Sequence, residues 1–77
     1  MSAKYPLHRL TAQFVLALRA YSKLTDLPLF DQRIAHECLV HNVVVSHPRD
    51  RRRVERLAEL IGFHGKVLSH VPAEEPR

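Results

Sequence analysis

The chain is poor in the residues that several kinds of small protein depend on. A single cysteine, Cys38, excludes an intrachain disulfide, so the staple of small secreted domains is missing and a reducing, cytoplasmic setting is expected. With Ile34, Leu39 and Val40 around it, Cys38 reads as a small core hydrophobe rather than a nucleophile. No long apolar run is present. The densest, Phe14 to Leu18, is far shorter than the roughly 20 residues a membrane span needs, and no apolar block follows Lys4 to form a signal peptide.

Two glycines leave no room for a glycine-rich phosphate loop, and no nucleophile elbow surrounds Ser2, Ser22, Ser46 or Ser69. An enzyme is not expected, nor is a cofactor. Aromatic residues are also scarce. Tyr5, Phe14, Tyr21, Phe30 and Phe63 fall mostly at expected core positions, which argues against a stacking platform for RNA or single strands. Six histidines invite a metal, but His36, Glu37 and His41 carry one residue too many for the H-E-x-x-H motif. A spacing of five turns the two histidines about 140° apart on a helix, so no metal ligands are assigned. His41 lies in an apolar stripe and is expected to be buried and hydrogen-bonded. His47, His64 and His70 fall near turns around a basic helix, where acidification would add positive charge.

What remains is compact and basic. Seventy-seven residues, 45% of them apolar, suffice for one small core, read as a single helical domain over 1–71 with a polar tail over 72–77. The fold class expected is mostly α, a small three-helix bundle, with residues 66–71 open between a short C-terminal strand or wing and a further helical turn. Pro6, Pro28 and Pro48 are each placed to open a helix. Leu7, Leu10, Phe14, Ala17, Tyr21 and Leu24 recur at steps of three and four, predicting a first helix with Arg9, Arg19 and Lys23 on its opposite side.

In the second block, Asp26 is the expected N-cap. Phe30, Ile34, Cys38, His41 and Val45 form one stripe, and Ala35, Leu39 and Val43 form another. A helix apolar on two sides is normally covered on both, so this block is expected to be central or to carry a homodimer interface through Ala35, Leu39 and Val43. The β-branched run Val43 to Val45 favours an extended end to the block. Ser46 is the expected cap of the third helix, Val54, Leu57, Ala58 and Ile61 its buried stripe, and Gly62 its stop.

Arg49, Arg52, Arg53 and Arg56 stand at i, i+3, i+4 and i+7, which stacks four guanidinium groups along one side of the third helix. A guanidinium donates bidentately to phosphate and can read guanine in the major groove. The expected function is therefore that of a small basic regulatory protein binding nucleic acid, duplex DNA in particular, as a dimer. Arg9, Arg19 and Lys23 would add phosphate contacts. The alternative is a non-catalytic adaptor or inhibitor docking on an acidic or nucleic-acid-binding surface of a larger protein. A third outcome is a merely solvated face, since Glu55 and Glu59 stand at helical pairing distance from the arginines. A helix-turn-helix would use the third helix as reader, yet the stretch His41 to Pro48 lacks the glycine often found in that turn.

Overall fold

The structure, a computed structural model, describes residues 7–41 and 44–70. Strand β1 (His8–Leu10) leads into helix α1 (Ala12–Ala20), and a 3-10 turn (Leu24–Asp26) leads into α2 (Leu29–Val40). Strand β2 (Val44–Val45), helix α3 (Pro48–Leu60) and strand β3 (Leu68–His70) complete the described order. The three short strands form one antiparallel sheet in the order β2-β1-β3, in which His8 faces Val45 on one side and His70 on the other. Helix α2 packs against both α1 and α3 and is central, as its two apolar sides predict.

The N-terminal end differs from the helical stripe expected there. Leu7 is exposed and residues 8–10 are strand, so the first helix starts only at Ala12, beyond Thr11, rather than at Pro6, itself outside the described residues. Thr11 sets that start. In extended conformation, its Oγ1 accepts the Phe14 N–H at 3.2 Å and donates to the Lys66 carbonyl, while its own N–H donates to the Val67 carbonyl at 3.0 Å. One residue thus caps α1 and ties it to the chain entering β3. Phe14 and Leu18, one turn apart, carry the buried face of α1.

Helix α2 also starts later than Asp26. That residue lies in the 3-10 turn, and Pro28, which has no side-chain donor or acceptor, occupies the N-cap. The Gln32 amide instead fixes the turn that enters α2, donating to the Thr25 and Leu27 carbonyls at 3.1 and 2.7 Å. At α3 the cap is His47 rather than Ser46: its Nδ1 accepts the Arg49 N–H at 3.0 Å, with Pro48 in the first turn. The far end of α3 closes at Gly62, whose φ of 78° lies in the left-handed region. Gly62 N–H donates to the Glu59 carbonyl and Phe63 N–H to that of Ala58, the paired bonds of a Schellman cap. That cap delivers Phe63 edge-on to Phe14, ring centres 5.7 Å apart.

The core joins all layers: Phe14 and Leu18 from α1, Leu27, Ala35 and Cys38 from or just before α2, Val54, Leu57 and Ala58 from α3, and Val45 and Leu68 from the sheet. Val45 and Leu68 lie inward, on the same face of the pleat as Leu10, His8 and His70. Ala35 belongs to this core, only 1% exposed in the single chain. Leu39 packs at the core's edge, and Val43, Tyr5 and residues 72–77 lie outside the described residues.

Candidate nucleic-acid interface on helix α3

Val54, Leu57 and Ala58 turn one face of α3 into the core, and Arg52, 200° from Val54 at about 100° per residue, projects nearly opposite. Arg49 and Arg52 are exposed and make no side-chain hydrogen bond or ion pair with any described residue. The other two arginines of the expected ridge are engaged. Arg53 contacts Asp50 through Nη1 at 3.2 Å, one turn back, and its guanidinium lies 5.1 Å from the centre of the Phe30 ring on α2. Arg56 reaches across to α2, its Nε 3.4 Å from Asp31 Oδ1.

The ridge is therefore divided by partner: Arg53 and Arg56 are compensated by Asp50, Phe30 and Asp31, whereas Arg49 and Arg52, on the outward side of the helix, have no such partner among the described residues. Glu55 and Glu59, the carboxylates expected to interleave with the arginines, form no ion pair with them. Arg9 lies on β1, Arg19 in the last turn of α1, and Lys23 just before the 3-10 turn, all exposed. They are thus spread over other elements.

Asp31 is the residue that the sequence pattern hid. It sits in the first turn of α2, 1% exposed, and neither carboxylate oxygen has a hydrogen bond. Two features compensate for its burial: the positive end of the helix on which it stands and the Arg56 guanidinium, 61% exposed and so itself hydrated. The 3.4 Å approach to Arg56 is an ion contact rather than an aligned hydrogen bond. Phe30, expected inside, is instead half exposed beneath Arg53, because Asp31, Ala35 and Cys38 take the inward stripe.

Below Arg53, a cavity of about 170 Å³ runs between α2 and α3, lined by Ile34, Glu37, Cys38, Val45, Asp50, Arg53 and Val54. The Cys38 thiol on its wall is pushed up to about 11 by burial first and by the neighbouring Glu37 carboxylate second, which keeps it protonated and unreactive near neutrality. His41 is exposed, correcting the expectation of a buried imidazole. Among the described residues no three His, Cys, Asp or Glu side chains are gathered as metal ligands, and no helix is long and apolar enough to cross a membrane.

The connection from α2 to α3 contains β2, which pairs with β1, so it is not the tight turn of a helix-turn-helix. A short strand does return after α3, where a wing was one expectation, but it joins the sheet through β1. No protein-family model, curated protein or solved structure matches the chain.

Proposed function

We propose that the protein binds duplex nucleic acid through the outer flank of α3, with Arg49 and Arg52 as its phosphate contacts and Arg53 and Arg56 as a supporting second row. The observation that carries this reading is the pair of exposed guanidinium groups without acidic partners among the described residues, on the side of α3 that faces away from the core. Free arginines three residues apart lie on neighbouring positions of one helical face, suited to oxygens along one backbone strand. The contacts are chiefly to phosphate, giving affinity and orientation, and base reading would fall to one of the two. A net charge of +4 adds long-range attraction to polyanions. Arg9, Arg19 and Lys23 contribute to that field as separate charges.

A second reading, a non-catalytic adaptor docking on an acidic protein, draws on the outer side of α2. Leu29 is 77% exposed and Phe30 50%, beside Arg33 and Arg53. Fluorescence anisotropy with a random-sequence duplex at physiological salt separates the two. Saturable binding that weakens on Arg49→Ala and Arg52→Ala supports the first. No binding at micromolar protein, with retention on an acidic protein column that Leu29→Ala and Arg33→Ala abolish, supports the second.

A further inference from the structure

We infer that His8 and His70 form a two-imidazole site for a divalent late transition ion, Zn²⁺ or Cu²⁺, that clamps β1 to β3. The two residues are direct partners in the antiparallel register, and their rings meet edge-on with centres 5.8 Å apart and planes at 69°. Two imidazoles that share one ion through a nitrogen each, at about 2.0–2.1 Å and a tetrahedral angle, place their ring centres roughly 5 Å apart. The observed pair is within about 1 Å of that separation, a change that modest side-chain rotations supply.

The chemistry suits the position. Imidazole nitrogen is the side-chain donor that Zn²⁺, Cu²⁺ and Ni²⁺ share, whereas Mg²⁺ and Ca²⁺ prefer oxygen. His8 is half-buried and His70 exposed, so an ion can enter from solvent and keep water at its remaining positions. Val45, the other cross-strand neighbour of His8, is apolar and places no competing charge there. With two protein ligands the site is open, which fits a stabilising clamp or an exchangeable ion rather than a closed structural centre. Because β1 and β3 lie far apart in sequence, the ion favours the folded chain over the unfolded one.

The test is titration of the full chain with Zn²⁺, and separately with Cu²⁺, by calorimetry at neutral pH, with melting followed by circular dichroism. The expected result is one ion per chain, Cu²⁺ bound more tightly than Zn²⁺, a higher Tm with metal, and no effect of Mg²⁺. His8→Gln and His70→Gln, which keep a polar side chain of similar length, should each weaken binding at least about tenfold, since even loss of an outer partner of a ligand costs about that much. His36→Gln should leave it unchanged. Absence of saturable binding, or binding that survives both substitutions in chains still folded by circular dichroism, overturns the site and leaves the pair as a ring contact.

Discussion

Removing the Arg56 side chain would leave the Asp31 carboxylate without its one ion partner among the described residues. Asp31 is 1% exposed and its oxygens lack hydrogen bonds, so Arg56→Ala strands a charge-bearing group inside the α2–α3 contact. Breaking a buried pair from one side costs about 3–5 kcal/mol. Here the arginine is 61% exposed, water reaches it, and the helix N-terminus still faces the carboxylate, so about 1–3 kcal/mol is the appropriate range. With a urea slope of about 1 kcal/mol/M for so small a domain, the midpoint should fall by about 1–3 M. Asp31→Leu combined with Arg56→Ala should recover most of the loss, because an apolar pair of similar volume needs no compensation. An Arg56→Ala midpoint within about 0.3 M of the parent, a difference of roughly 0.3 kcal/mol at that slope, would show that Asp31 does not depend on Arg56.

Thr11→Ala removes both the α1 cap and the bond to the Lys66 carbonyl, and should cost about 1–2 kcal/mol in urea unfolding, against a few tenths for Thr25→Ala in the exposed turn. Gly65→Ala would set a Cβ 2.7 Å from Phe63 Cζ and displace the ring from Phe14, so it should lower Tm and reduce the near-ultraviolet signal of the aromatic pair. Because burial holds the Cys38 thiol at about 11 instead of 9.0, its thiolate fraction at pH 8 is roughly a hundredfold below that of a free thiol, and alkylation in the folded chain should be slowed at least that much. The sign for stability follows: between pH 9 and 11 the unfolded chain gives up this proton first, so Cys38 makes stability fall as pH rises through that window, and Cys38→Ala should flatten the decline.

Local signals in the sequence were strongest where one residue type satisfies one backbone demand. Gly62 marks the end of α3 because the left-handed residue of its cap admits few others, and Pro48 marks the first turn because its missing N–H costs nothing there. Val44 and Val45 are extended as their β-branching favours, and the covering of α2 on two sides follows from its double stripe. The N-terminal strand was not legible. His8–Leu10 is too short for alternation to show, and Leu10 fits a helical stripe as well as a strand, so the sheet pairing decided between them.

Caps followed the chain's path rather than residue preference. The 3-10 turn draws Asp26 out of capping position, and His47 supplies an acceptor one residue nearer α3 than Ser46. At the candidate site, the spacing of the four arginines did place them along one helix, but their partners lie on another element. Asp31 carries no local signal of burial, because a carboxylate in a helix's first turn is common, and only packing against α3 buries it. Nothing in the local pattern near Arg56 or Arg53 signals Asp31 or Phe30, which lie more than twenty residues earlier.

The division of the arginine row into Arg53 and Arg56, which are engaged, and Arg49 and Arg52, which have no partner among the described residues, is tested most directly by the salt dependence of duplex binding. Each phosphate neutralised contributes about −0.9 to the slope of log K against log salt. Replacing Arg49 and Arg52 together by alanine should flatten that slope by about two while leaving the urea midpoint near that of the parent protein. A slope unchanged by this double substitution, in a protein that still folds and still binds, would contradict the account.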